Sequence, residues 1–143
     1  MKSLLGKLGV ILIGLAIFGY GEVWGEDVII WKYYGGSEFI LAYYELQSII
    51  RPSKNVVRVW VKWDYKKKGV MDMVRRFGKE YENLAYSKNL NEINCVEKKI
   101  HFQSADFYDN KEELIHSFSD QSSEWAFIAP ESMNESLYKE VCK

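Results

Sequence analysis

The scarcest reactive side chains in this 143-residue sequence are two histidines and two cysteines. His101 and His116 stand fifteen residues apart, in segments expected to be separate strands. A metal pair would have to recruit Asp106 or Asp109, and that spacing matches none of the short ligand intervals of zinc sites. Cys95 and Cys142 admit two chemistries. The catalytic one makes Cys95 a thiolate with His101 nearby, which needs a free, activated sulfur. The structural one joins the two sulfurs. Gly-x-Ser-x-Gly, His-Glu-x-x-His, a phosphate-binding glycine loop and Cys-x-x-Cys are absent from the sequence. Carboxylates are plentiful, but no pair stands out for general acid–base work. The residues point away from an enzyme, and no cofactor or metal is expected.

Two features point instead to binding. Between Lys62 and Lys79 there are seven basic residues against two acids, and between Asp106 and Glu124 six acids against Lys111 alone. Such asymmetry can steer a charged partner or orient self-association, although a solvated loop and an acidic hairpin would show the same composition. Tyr33, Tyr34, Tyr43, Tyr44, Trp60 and Tyr65 form the second feature. Tyr and Trp are enriched at interface hot spots, and they are equally good strand formers with half-buried rings. The candidate partner-binding residues are accordingly Lys66, Lys67, Lys68, Arg75, Arg76, Tyr43 and Tyr44.

Composition bounds the partner. The chain is 48% hydrophobic and 15% aromatic with a net charge of −1, which suits one folded domain and lacks the basic footprint of a nucleic-acid binder. Lys2 and Lys7 precede an uncharged apolar run from Leu8 to Phe18, followed by small residues through Gly25. That order is a secretory signal, so residues 1–25 are expected to be a signal peptide cleaved between Gly21 and Gly25, leaving a domain over residues 26–143. The run is shorter than the roughly 20 residues a bilayer span needs, so no stable membrane span is expected after cleavage. No Cys lies near the cleavage site, so the exported chain is expected in the periplasm, in the medium or at the cell surface without a lipid anchor. Export also favours a Cys95–Cys142 disulfide. Closing that loop removes chain entropy worth roughly 4 kcal/mol in the simple loop treatment.

The groups must be positioned by a mostly β chain. Val28–Tyr34 and Glu38–Tyr44 read as a hairpin around Gly35-Gly36-Ser37. Leu46–Ile50 reads as a short connection stopped by Pro52. In Val56–Lys66, Val57, Val59, Val61, Trp63 and Tyr65 share one face, the pattern of a half-buried antiparallel strand. Val70, Val74, Phe77, Tyr81 and Leu84 then recur at helical steps, with Gly78 inside the stripe. Asn91–Cys95, Lys99–Tyr108, Leu114–Phe118 and Trp125–Ala129 read as further strands. Ser132-Met133-Asn134-Glu135 is a capping box that opens a terminal helix. The expected class is α+β: an antiparallel sheet of about six strands, a helical insert after the third strand and a C-terminal helix.

Several segments in order resemble one family. Tyr43-Tyr44-Glu45 with Ser48-Ile49-Ile50-Arg51 and Val57-Arg58-Val59-Trp60-Val61 is similar to a stretch of the bacterial surface-adhesin protein E family. Asn91-Glu92-Ile93-Asn94-Cys95 with Lys98-Lys99 and Tyr108-Asp109 resembles its central Cys strand and the strand after it, and Trp125 through Ile128-Ala129-Pro130 to Val141-Cys142 resembles its C-terminal part. Glu45, His101 and Glu131 depart from the Asp, Arg and Gly usual there, and the stretch after Lys68 looks like a longer insert. The resemblance implies an exported, non-enzymatic binding module whose partners are host matrix or plasma proteins, with a homodimer among the implied states. The alternative is a periplasmic small-ligand sensor or accessory domain with a pocket in the curved sheet.

Overall fold

Strict alternation explains the strand at the middle of the sheet. A computed structural model describes residues 28–143; the expected signal segment and its cleavage points lie outside the described residues. Strand β4 (Val56–Tyr65) buries Val57, Val59 and Val61 completely, and such burial contributes about 1.5–3 kcal/mol per side chain. On one side β4 pairs with β2 (Ile40–Glu45), placing Tyr44 opposite Val61 and Ala42 opposite Trp63. On the other it pairs with β5 (Leu84–Asn94), placing Ile93 opposite Val57.

Strands β1 (Trp31–Gly36), β6 (Lys99–Asp109) and β7 (Leu114–Ser119) complete a continuous order β1-β2-β4-β5-β6-β7. Two short strands lie off that path. β3 (Ile50–Ser53) pairs with the start of β4, and β8 (Ala126–Phe127) pairs with β6. Every pairing is antiparallel. The six-strand path matches the expectation, and the two short strands raise the total to eight.

The two α-helices among the described residues lie on the same face of the sheet. Helix α1 (Lys67–Phe77) presents Val70, Met73 and Val74 to a cluster of Tyr81, Leu84, Ala105 and Phe107. Helix α2 (Met133–Val141) places Leu137 and Val141 over Val57, Val59, Val61, Ile93 and Ile100. Ser132 caps α2 by accepting the Glu135 N–H at 3.1 Å, while the Glu135 carboxylate reaches back to the Glu131 N–H at 2.9 Å rather than to that of Ser132. The Cys95–Cys142 disulfide joins the end of α2 to the end of β5, with Cα atoms 5.6 Å apart.

Several boundaries differ from the sequence pattern for identifiable reasons. β1 starts at Trp31 rather than Val28 and runs through both glycines, because the turn forms at Ser37–Phe39. There Ser37 Oγ accepts the N–H groups of Phe39 and Ile40. Gly35 leaves room for Met133 of α2, whose Cγ would lie 3.3 Å from an added Cβ. The expected connection is a 3₁₀ turn over Leu46–Ser48, and Pro52 does not stop the chain there but sits inside the added strand β3, which is fully exposed, as an edge strand tolerates Pro. The helical insert consequently follows the fourth strand. It ends at Gly78, whose φ of 118° disfavours any other residue, so Tyr81 falls in a short 3₁₀ turn and Leu84 opens β5.

Candidate functional site

The face of the sheet without helices carries the outward-pointing side chains of every long strand. In register across it lie Tyr33 and Tyr43, then Lys62, then Lys88. Tyr86 lies opposite Tyr108 in the next row. The rings are paired: Tyr33 meets Tyr43 edge to face at 5.7 Å, and Tyr86 stacks on Tyr108 at 5.1 Å. The lysines lie over the rings, with Lys62 Nζ 5.0 Å from the centre of Tyr86 and 5.9 Å from that of Trp31, and Lys88 Nζ 6.0 Å from Tyr108. Lys62 also meets Asp64 at 3.5 Å. A depression of about 210 Å³ among Glu45, Trp60, Lys88 and Asp106 interrupts the surface. Alternating cations, acids and rings give a nearly charge-balanced, aromatic face, the composition of protein–protein contact surfaces.

One corner of this face is closed. His101 is 7% exposed and packs 5.4 Å from the Trp125 ring. Its Nε2 is buried with no hydrogen-bond partner, 3.8 Å from Asp120, and its Nδ1 lies 3.8 Å from Glu92. Glu92 is held by Arg58 at 2.8 Å. Hydrogen bonds from Ser122, first its N–H and then its hydroxyl, lower the Asp120 pKa below the ordinary value. His116 stands across the sheet, opposite Phe107 and against Phe118, so the two imidazoles do not meet. Cys95 is in the disulfide, which removes the free thiolate that the catalytic reading required. Among the described residues no three His, Cys, Asp or Glu side chains gather at metal-binding distance.

The sequence-predicted binding residues are dispersed. Lys66, Lys67 and Lys68 lie at the start of α1, and Arg75 and Arg76 at its end, about 15 Å away along an 11-residue helix. Lys68 pairs with Glu38, Lys66 Nζ donates to the Ser37 carbonyl at 2.6 Å, and both arginines bind Asp72. Tyr43 is on the helix-free face. Tyr44, one residue later, points to the other side, where it is 4% exposed and bonds to Glu140 at 3.1 Å; burial raises its pKa. Sequence reasoning did not single out Lys62, Lys88, Tyr86 and Tyr108, whose shared face depends on the register of three strands. Their period-two spacing within Tyr86–Lys88 was the available signal, and the helical reading through Leu84 obscured it.

The helix-covered face has a cleft beside the first turn of α2. Tyr34, Trp63, Asn89, Asn91, Ile100, Phe102 and Asn134 line a cavity of about 220 Å³. Trp63 donates its indole N–H to the Tyr34 hydroxyl at 3.3 Å. Burial pushes the Tyr34 pKa up to about 12 against the opposing effect of that bond. Beyond Trp63 a second space of about 330 Å³ runs under α1, lined in part by Tyr65, Asp72, Met73 and Arg76.

Among the described residues, an antiparallel sheet covered by two helices on one face, open on the other and stapled by one disulfide defines an α+β domain built around a broad exposed surface. The sequence profile of the surface-adhesin protein E family matches residues 31–143, and the chain belongs to that family. Crystal form II of Haemophilus influenzae protein E is similar over 81% of this chain and 96% of its own, with a TM-score of 0.49 at 13% identity. The selenomethionine form of the same protein gives 0.48 at 11% identity, over 81% of this chain and 95% of its own. A third structure of it gives 0.46 at 10% identity, over 81% and 92%. No curated protein matches the sequence.

Proposed function

We propose that this protein is an exported, non-enzymatic binding module that attaches to host matrix or plasma proteins through the helix-free face of its sheet. The observation that carries the reading is the row of paired rings and lysines centred on Tyr43, Lys62, Tyr86 and Tyr108. Rigid Tyr rings offer large amphipathic contact area at a low cost in side-chain ordering, and they dominate the energetics of protein contacts. Membership of the surface-adhesin family supports the same activity. The disulfide supports export, because such bonds persist in oxidising compartments. Lys66, Lys67 and Lys68 continue from the end of β4 and act as rim charges that speed encounter, while Tyr43 belongs to the contact itself.

The test is binding of the purified protein to immobilised matrix and plasma proteins, comparing the parent with a Tyr43→Ser, Tyr108→Ser variant. Binding by the parent and its loss in the folded variant are the expected results. Equal binding by both would move the contact off this face. Sedimentation of the protein alone separates self-association across the same face from attachment to a partner.

A further inference from the structure

On the helix-covered face, β5 breaks the apolar rule that β4 obeys. Ser87, Asn89 and Asn91 take successive inward positions and are 0%, 3% and 8% exposed. Their register partners on β4 are Trp63, Val61 and Val59, so the polar row crosses the middle of the sheet between the two apolar clusters. The Ser87 hydroxyl lies 3.4 Å from that of Tyr65. The side-chain amides of Asn89 and Asn91 have no hydrogen-bond partner among the described residues, and both line the 220 Å³ cavity. Their amide atoms open onto that cavity rather than being sealed in the core, where an unpaired amide would be unfavourable. A central strand that keeps two of them facing a void violates local consistency, which natural sequences do mainly at functional sites.

We propose that this cavity binds one neutral pyranose ring of a saccharide. No carboxylate or cationic side chain lines it, so the ligand is selected by shape and hydrogen bonding rather than charge. A primary amide offers two N–H donors and a carbonyl acceptor, which matches hydroxyls that both donate and accept. Asn89 and Asn91 sit two positions apart on one strand, about 6.6 Å between Cα atoms, a span suited to hydroxyls on different ring carbons and wider than the edge of one nucleobase. Asn134 adds a third amide from the first turn of α2, and Trp63 and Phe102 add flat apolar surface for the C–H face of the ring. The volume falls below the roughly 300–1,000 Å³ of pockets for larger ligands, which limits the site to one ring. The space beyond Trp63 gives room for the next unit of a chain. This site is on the opposite face from the proposed protein contact and does not rest on it.

The experiment exposes the purified protein to an array of immobilised glycans. It then titrates the protein with free glucose, galactose and N-acetylglucosamine and their β-linked dimers, by calorimetry and tryptophan fluorescence. The expected result is saturable binding of at least one sugar with a fluorescence change, weakened about tenfold or more in Asn91→Leu. The melting temperature of that variant should stay level or rise. Asn134→Ala, changed at an exposed helix position, should weaken binding without touching the core, which keeps the test readable if a core variant does not fold. Absence of binding by every sugar overturns the proposal. So does undiminished binding in both variants, or a preference for free nucleosides over sugars.

Discussion

Gly69 illustrates how much of this fold turns on one missing methyl group. It is the buried residue of α1, and a Cβ there would lie 2.2 Å from the Phe39 carbonyl oxygen. The same oxygen accepts the Lys66 N–H at 2.9 Å, so the clash is with backbone that no rotamer change can move. Gly69→Ala gains about 1 kcal/mol of helix propensity and meets an overpacking penalty of about 1–3 kcal/mol. The expected outcome is a lowered urea midpoint, with Lys67→Ala, at the exposed neighbour, close to the parent. A midpoint at or above the parent's for Gly69→Ala would show that α1 can lift away from the β1–β2 turn. Nothing in the sequence around Gly69 marks this contact, because it depends on where a turn thirty residues earlier comes to rest. The neighbours Tyr43 and Tyr44 carry the opposite lesson: alternation alone places them on opposite faces, so only one of the pair can reach a partner.

Helix α2 was legible because its signals are local. Ser132, Glu135 and the stripe of Leu137 and Val141 fix its start and its buried side. Strand β3 and the first part of β5, before Asn91, were not, for physical reasons. β3 buries nothing and contains Pro52, and the inward positions of β5 are partly polar, so neither shows an apolar period of two. The cleft amides were invisible for the same reason. The cap of α2 gives a pH prediction. The Lys98 ammonium, at 2.7 Å, and then the Glu131 N–H hold the Glu135 carboxyl below its ordinary pKa. A carboxyl lowered on folding contributes stability that is present above the unfolded value of about 4.3 and is lost as pH falls through the folded value. Melting temperature should therefore decline on acidification below about pH 5, and Glu135→Gln should flatten that part of the curve. Lys98, raised chiefly by the same bond, gives the mirror image: its contribution is present below its unfolded value and lost at alkaline pH. An identical acid limb in Glu135→Gln would show that other carboxylates control it.

Across the whole molecule, the disulfide divides labour with the sheet. It ties the last helix to the central hairpin across a sequence separation of 47 residues, and reduction should cost about 4 kcal/mol by restoring unfolded-chain entropy. Unfolded, unreduced protein should contain no titratable thiol; two would contradict the bond. With the scaffold fixed this way, the proposed protein contact has two candidate surfaces, and salt separates them. The lysines at the start of α1 are exposed and act at long range, but that field is screened beyond about 10 Å at 0.1 M salt. Peripheral charges act mainly on encounter, so replacing Lys66, Lys67 and Lys68 by Ser should slow association at low salt and matter little at high salt. Melting should barely change, because an exposed pair such as Lys68–Glu38 contributes little. The ring surface acts by contact. Tyr43→Ser with Tyr108→Ser should hasten dissociation at every salt concentration, since desolvated aromatic anchors govern residence time. Surface-binding kinetics of both variants on a captured matrix protein, at low and high salt, distinguish the contributions. If the lysine variant instead loses all binding while the tyrosine variant keeps the parent's dissociation rate, the contact lies on α1 and the aromatic face is only packed surface.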